Sequence, residues 1–228
     1  MTAPVPRISV VIPVFNGERH LSEALESVRS QGFDDLEMIV VNDGSTDDSA
    51  GVARRHGARV IDSERGGVAR ARNVGLAAAR GELIAWLDAD DAWTKDSLRI
   101  RVTYLEAHPE IDFVYGSMQE YPDPDRPPPD WLPPSRVADP VGLLPVFLIR
   151  RPACEQTGWF EETLTIGEDL DWISRLQDGG FHGVRLDAVL IRHRLHADST
   201  MIRHAHDSVP ALKTVVRRSL ERKRQRSP

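Results

Sequence analysis

Apolar residues in the first half of the chain fall in short blocks whose period switches between strand and helix. Ile8-Ser9-Val10-Val11-Ile12 is a nearly continuous β-branched run, the pattern of a strand covered on both faces. Leu21, Ala24, Leu25 and Val28 then recur at helical spacing, and Gly32 lies where that helix would end. A second run, Met38-Ile39-Val40-Val41, stops at Asn42-Asp43-Gly44, and Ser45 reads as the N-cap of a helix carrying Ala50, Val52 and Ala53. Val60-Ile61 forms a third short strand. Gly66-Gly67 opens an alanine-rich helix through Ala79, closed by Gly81, and a fourth strand, Leu83 to Leu87, runs into Asp88-Ala89-Asp90-Asp91. Strands alternating with helices predict right-handed crossovers and an α/β domain with a mostly parallel central sheet flanked by helices.

The pattern weakens after Ser117. Residues 122–140 are rich in proline and poor in apolar residues, so they read as a long surface loop, more mobile than the sheet. A loop of that length in a compact domain is often functional. Helix and strand signals resume at Val146, and there is no internal repeat. At 228 residues the chain is read as a single domain, with a first half of about 7–118, a second of about 119–206, and a C-terminal helix and basic tail over 207–228.

Composition narrows the class. Hydrophobic residues at 40% and charged residues at 28% are ordinary for a globular protein. A net charge of -6 argues against a protein that tracks nucleic acid, which usually carries a basic face. The single Cys154 rules out an internal disulfide and suits a reducing, cytoplasmic compartment. Residues 1–7 lack the apolar stretch of a signal peptide, and the longest apolar candidate, Val141 to Ile149, is broken by Pro145 and falls short of a membrane span. The arginine-dense tail from Arg217 has two readings: a fraying, solvated helix end, or weak attraction to an anionic membrane surface or lipid phosphate. The first is favoured, because so short a tail lacks a clear apolar face.

The placement of acids carries the chemistry. Asp43 and the Asp88/Asp90/Asp91 cluster follow directly on apolar strands. In a parallel sheet those are carboxyl ends sharing the edge where ligands bind. Carboxylates gathered there repel one another unless a cation intervenes. Magnesium and manganese suit such sites, held by one or two carboxylates and completed by substrate phosphates, so a nucleotide diphosphate is implied. Each piece alone has a plainer reading. Asp43-Gly44-Ser45-Thr46-Asp47 is a common turn and helix cap, an Asp-x-Asp is often a solvated loop, Glu168-Asp169 complements a helix dipole, and His196 passes for a surface histidine. Their joint occurrence in this order makes the case.

Those residues bring a resemblance into view. Ile8 to Asn16 (ISVVIPVFN), Val41 to Asp47 (VNDGSTD), Ala71 to Gly75 (ARNVG), Gly81 to Asp91 (GELIAWLDADD), Gly167 to Leu176 (GEDLDWISRL) and Arg194 to Thr200 (RLHADST) together resemble family 2 glycosyltransferases of the GT-A fold. The resemblance is extensive over 7–118 and rests on shorter motifs over 150–200. It implies a metal-dependent (Mn2+ or Mg2+), inverting transfer of a sugar from a nucleotide diphosphate sugar, with UDP foremost and guanosine or thymidine as alternatives. The acceptor is open: a saccharide, a lipid-linked saccharide, a natural product or a protein. The resemblance implies that residues 7–118 bind the donor and 119–206 the acceptor; the proline-rich composition of the 122–140 loop, between the donor half and the Glu168-Asp169 motif, puts that loop beside the acceptor. Pro13 and Phe15 would line the base pocket, and Asp43 would accept a hydrogen bond from the base. Arg72 and Asn73 would shape the donor pocket. Asp88 would face the ribose, Asp90 would hold the metal, and His196 would reach back to the metal or diphosphate. Asp169 would be the general base. Glu168 and Asp171 are its rivals, since successive helical residues lie about 100° apart and all three cannot meet one acceptor oxygen; Leu170 and Trp172 would pack inward. Asn42 departs from the pattern, standing where many relatives carry an Asp. No Gln-x-x-Arg-Trp motif of processive synthases is present. A nucleotidyltransferase is the first rival reading, but Pro13 to Gly17 lacks the glycine-rich basic loop that would hold a triphosphate. A catalytically silent binding domain is the second.

Overall fold

A computed structural model describes residues 5–129, 137–138, 143–197, 199 and 208–226. In chain order the elements are β1 (Ile8–Val14), α1 (Glu18–Arg29), β2 (Leu36–Asp43), α2 (Ser49–Arg55), β3 (Arg59–Ser63), α3 (Val68–Ala78), β4 (Leu83–Trp86), β5 (Ala92–Trp93), α4 (Ser97–Ala107), β6 (Phe113–Pro122), β7 (Val137–Ala138), a 3₁₀ turn (Leu144–Val146), β8 (Leu148–Arg150), α5 (Arg151–Thr157), α6 (Glu168–Asp178), β9 (Gly183–Leu195) and α7 (Ser208–Arg226).

One sheet runs in the order β3-β2-β1-β4-β8-β6-β9-β5, with β7 paired to β6. Its first four strands are parallel, as the alternating pattern predicts, and every residue of β1 and β4 is buried. Beyond β4 the sheet turns mixed: β8 is antiparallel to both β4 and β6, while β9 runs parallel to β6 and antiparallel to β5. The unbroken parallel run is therefore confined to the half built from regular strand-helix crossovers, and the β6–β9 pair is a separate parallel pairing beyond it. β6 also reaches Pro122, further than the fading apolar pattern after Ser117 suggests, because its pairing with β9 supplies backbone partners that side-chain periodicity does not report.

Two local features set up the site. Gly75, in the Ala71–Gly75 motif, lets α3 lie against β1: a Cβ there would stand 2.2 Å from Val11 Cγ1. The second is an aromatic wedge under the start of α6. Trp172 is fully buried, stacks on Phe160 at 5.1 Å, lies 5.5 Å from Trp86 of β4, and donates its indole N–H to Gly158 O at 2.7 Å. Aromatic pairs of this kind are worth about 0.5–1.5 kcal/mol beyond their burial, and here they tie the acidic start of α6 to the end of β4. Trp172 thus packs inward as its position in the acidic segment suggests, whereas Leu170 is only half-buried.

Ser45 is not a helix cap. The helix begins at Ser49, after Asp48, and the Ser45–Ser49 stretch latches two loops together instead. Asn16 N donates to Ser45 Oγ, Thr46 N to Asn16 Oδ1, Gly17 N to Ser49 Oγ and Glu18 N to Asp47 Oδ2. Two adjacent carboxyl-end loops share these polar side chains, which outcompetes a simple cap. Asn42 is also held locally, since its amide donates to Asp62 Oδ1 and accepts from Ser45 N.

The arginine-dense C-terminus is helical over its described length. It continues α7, which packs on α6 through buried Val215 and through Arg222, bonded to Asp178 and Ser174. Of the 122–140 loop, residues 130–136, 139 and 140 lie outside the described residues, as do Asp198 and Thr200 of the Arg194–Thr200 motif.

Candidate active site

The carboxyl ends of β1, β2 and β4, the start of α6 and the end of β9 meet at one edge. Phe15 leaves β1 exposed, while Pro13 is buried within the strand. Asp43, at the end of β2, is buried, and its two carboxylate oxygens accept from Gly66 N at 2.7 Å and Gly67 N at 2.9 Å. Gly44 beside it has φ +71, and a Cβ there would stand 3.0 Å from Arg65 N. The Asp-Gly pair therefore receives the 65–67 turn: the carboxylate holds its amides, and the missing side chain admits its backbone. This turn places the Arg65 guanidinium carbon 3.3 Å from the centre of the Phe15 ring. Arg65 carried no signal in the sequence beyond its place before two glycines.

Arg72 joins two motifs that lie far apart in sequence. It is buried, donates through Nη1 to Glu168 Oε1 at 2.5 Å, and through Nη2 to Asp88 Oδ1 at 3.1 Å. Burial disfavours its charge, but Asp88, Glu168 and Asp169 outweigh that and hold its pKa above the ordinary arginine value. Asn73, the next residue, serves elsewhere: its amide bonds the backbone of Phe160 in both directions and donates to Glu162 Oε1 at 2.8 Å, bracing the loop before α6.

The three acids of α6 have separate fates. Glu168 is engaged by Arg72, and Asp171 by Arg175 Nε at 3.0 Å; two residues on from Asp169, Asp171 points to the other side of the helix from it. Asp169 forms no arginine salt bridge among the described residues; its Oδ1 accepts only from Leu170 N, at 2.7 Å. Burial, reinforced by the charge of Glu168 and opposed by Arg72, pushes its carboxyl up to about 7.

His196 arrives from the far end of the sheet. β9 pairs with β5, which follows the acidic cluster directly, and so returns the chain beside it. His196 Nε2 lies 2.8 Å from Asp90 Oδ2. The Asp90 carboxyl is partly desolvated, which would raise its pKa, but the hydrogen bond from His196 and the positive potential of His193 and His196 hold it below the usual range. Asp91 points the other way. It is buried, with both oxygens near His193 Nδ1 at 3.0–3.1 Å, and it accepts from Arg194 N at 2.9 Å. Burial pushes Asp91 up to about 6, while His193, despite its own burial, is raised to about 9, foremost by Asp91. Arg194 donates to Asp90 O at 3.0 Å and pairs with Glu23. Asp91, His193 and Arg194 thus form the frame behind Asp90.

His20 of α1 adds an imidazole whose centre lies 6.0 Å from that of His196, with Nε2 3.2 Å from Asp123 Oδ2. Burial first, and Arg194 next, lower its pKa below the ordinary histidine value. His193 and His20 escape a reading of the sequence, because neither sits in a spacing that announces a partner. Asp123 and the backbone of Arg126, whose carbonyl accepts from Ala197 N, start the 122–140 segment beside His196 and Asp90.

The donor set suits a divalent cation completed by substrate. Asp90 keeps a partly exposed carboxylate next to a histidine nitrogen. Among the described residues no group of three or more His, Cys, Asp or Glu is arranged to hold a metal unaided. One carboxylate and one imidazole leave the remaining positions to diphosphate oxygens, the usual habit of magnesium and manganese.

Residues 9–159 match the family described as Glycosyl transferase family 2. The chain is 29% identical over 217 residues to an uncharacterized glycosyltransferase of Rickettsia felis, a match taking in 85% of this chain and 35% of that protein. Glycosyltransferase GlyG of Streptococcus pneumoniae serotype 4 is 34% identical over 124 residues, 52% of this chain and 41% of its own. The matched stretch therefore spans less than half the length of these relatives. Among solved structures, the mannosyltransferase PcManGT from Pyrobaculum calidifontis in complex with GDP-Man and Mn2+ superposes with a TM-score of 0.73 at 21% identity, covering 93% of this chain and 64% of that one. S. aureus TarS 1-349 in complex with UDP-GlcNAc gives 0.72 at 21% identity, covering 86% and 60%. These likenesses establish a GT-A fold.

Proposed function

The chain belongs to glycosyltransferase family 2, and from that premise we propose that it transfers a sugar, with inversion, from a nucleotide diphosphate sugar to an acceptor hydroxyl. The observation that carries the proposal is the bridge made by Arg72. It ties Asp88, at the end of β4, to Glu168, beside Asp169. The donor-side and acceptor-side motifs thereby share one edge.

In this reading residues 7–118 hold the donor and 119–206 the acceptor. The base stacks on Phe15 against the wall made by Pro13. The Arg65 guanidinium lies at van der Waals distance from the ring, so it must swing outward for a base to stack on that face. Arg65 is exposed and forms no salt bridge among the described residues, so little opposes the swing. Asp43 spends one lone pair of each oxygen on the Gly66 and Gly67 amides and keeps others for a base N–H. UDP is the first candidate donor nucleotide; TarS was crystallised with UDP-GlcNAc and PcManGT with GDP-Man. Asp88, steadied by Arg72, faces the ribose. Asp90 and His196 would hold a divalent cation, whose chemistry when bound is Lewis-acid neutralisation of the departing diphosphate.

Asp169 takes the proton of the acceptor hydroxyl as that oxygen bonds to the anomeric carbon, and the nucleotide diphosphate leaves from the opposite side. A base with a pKa near the working pH is the effective one for this step. Arg72 opposes the Glu168 charge that would otherwise drive Asp169 higher still.

Phe15→Ala is expected to raise donor KM through loss of stacking worth about 1–3 kcal/mol, with kcat little changed. Asp43→Asn keeps one acceptor oxygen but adds an N–H that meets the Gly66 or Gly67 amide head on, so the 65–67 turn and the base contact should weaken together. Calorimetric titration of UDP reads both variants. Wild-type affinity in both would move the base away from this pocket. Transfer itself is tested by screening nucleotide sugars by thermal shift with and without manganese, then following release of the nucleoside diphosphate with and without candidate acceptors.

A further inference from the structure

The two faces of α7 differ in a way that the catalytic site does not use. One face lies on α6. The other carries Val209, Leu212, Val216 and Leu220 at 57%, 48%, 49% and 52% exposure, spaced three and four apart and so forming one stripe. Lys213, Arg217 and Arg224 follow along one border of the stripe, where with Leu212, Val216 and Leu220 they line a shallow groove. Lys223 stands on the other side, 3.4 Å from Asp178. The helix has seven Lys and Arg against one Glu, in a chain whose net charge is -6. Reading the tail only from Arg217 hides this face, because Val209, Leu212 and Val216 come before it.

We propose that this outer face of α7 lies on an anionic membrane surface. An interfacial helix buries an apolar stripe at the boundary between headgroups and acyl chains, with long cationic side chains bordering it toward the phosphates. The described borders of this stripe have that composition. A second copy of the chain fits poorly: an isologous contact through the stripe would set the Lys213, Arg217 and Arg224 row against itself, with Glu221 as the sole acid to relieve it. No helix among the described residues is long and apolar enough to cross a membrane, so the contact is with the surface.

The orientation of α7 gives the contact a consequence. Ala211 lies beside Gly167, which immediately precedes Glu168 and Asp169: a Cβ on Gly167 would be 3.7 Å from that of Ala211. Further along, Ser219 and Arg222 bond Asp178 at the other end of α6. α7 therefore runs alongside α6 in the same direction, and its apolar stripe begins at the end where Asp169 sits. A membrane under α7 would present an acceptor carried on a lipid to that end. This consequence rests on the reading of Asp169 given above, while the membrane contact does not.

The test is sedimentation of the full chain with vesicles of phosphatidylcholine alone and of phosphatidylcholine mixed with phosphatidylglycerol, at low and high salt. Binding to the mixed vesicles is expected to exceed binding to the neutral ones by about 100-fold at low salt for three cations near the surface, and to fall with added salt. Changing Lys213, Arg217 and Arg224 to Gln should remove the preference. Changing Leu212, Val216 and Leu220 to Ser should remove binding to both vesicle types. UDP binding by both variants should match wild type, which confirms that they fold and separates this proposal from the donor site. Equal binding to the two vesicle types would overturn the proposal. So would failure to sediment with either, including the case in which light scattering shows a dimer that the Ser variant abolishes.

Discussion

Replacing Asp169 by Asn is expected to lower kcat by about 10²–10⁴-fold, the range for losing a general base, while donor KM stays close to wild type. The proton moves only in the transition state, so the loss belongs in kcat. Glu168→Gln should behave differently, because it removes the charge that Arg72 pairs with and so loosens the guanidinium that also holds Asp88; its effect should extend to donor KM. Asp171→Asn loses a bond to Arg175 on the far side of α6 and should leave turnover nearly intact. The carboxyl of Asp169, pushed up to about 7, adds a signature in pH. The ionised form is the base, so kcat/KM should climb from pH 6 to 8 and level above that. Stability should move in the opposite sense. A carboxyl raised from 3.8 to about 7 binds its proton more tightly in the folded state, so its contribution is full at acid pH and is lost as pH rises through 7. Asp169→Asn should therefore melt higher than wild type at pH 8 and not at pH 4. Steady-state transfer across pH, with thermal melts of the same proteins, checks both. Wild-type kcat in the Asp169 variant, with collapse in either neighbour, would transfer the role to that neighbour.

Asp90→Ala is expected to reduce transfer on the order of 10³-fold or more, since diphosphate departure loses several kcal/mol of charge stabilisation. Manganese should then no longer strengthen UDP binding. His196→Ala should fall by a smaller factor, about 10–100-fold, whether it ligates the ion or orients Asp90. Asp91→Asn supplies the contrast. Asp91 is buried against His193 and the Arg194 backbone, so its replacement leaves a charged imidazole without its partner. Removing one member of such a pair is strongly destabilising, and the damage should appear as a lower melting temperature, with the response to manganese retained in the folded fraction. Titrations of UDP with and without manganese, beside melting curves, separate the two outcomes. Full activity of the wild-type protein in excess chelator would remove the metal from the scheme.

The first half of the chain was legible in the sequence because its signals are local. A continuous β-branched run specifies a strand buried on both faces, and an acid directly after it must lie at the strand's carboxyl end. β1, β2 and β4 follow that logic, and Asp43, Asp88 and Asp90 emerge at one edge as a result. Motif spacing likewise placed the acidic segment at the start of a helix. It could not say which acid would remain available, since Glu168, Asp169 and Asp171 are alike until Arg72 and Arg175 choose among them. Arg72 meets Glu168 across 96 positions and His196 meets Asp90 across 106. The first depends on how α6 packs beside α3 and the second on where β9 returns beside β5, and no nearby residue encodes either. Ser45 differs from its sequence reading for the same reason: a serine ahead of a helix is a good cap in isolation, but here the loop after β1 competes for its oxygen. The tail differs because charge alone marks it only from Arg217, while packing against α6 extends one helix from Ser208 to Arg226 and turns Leu212, Val216 and Leu220 outward together. What the sequence by itself determined is the set of elements and the edge on which their acids emerge, since both follow from short-range period and chain direction. Which of those acids is paired, which is left free, and which face of α7 meets solvent were decided only when distant segments closed on one another, because a charge takes its partner from whatever the fold brings within a few ångströms.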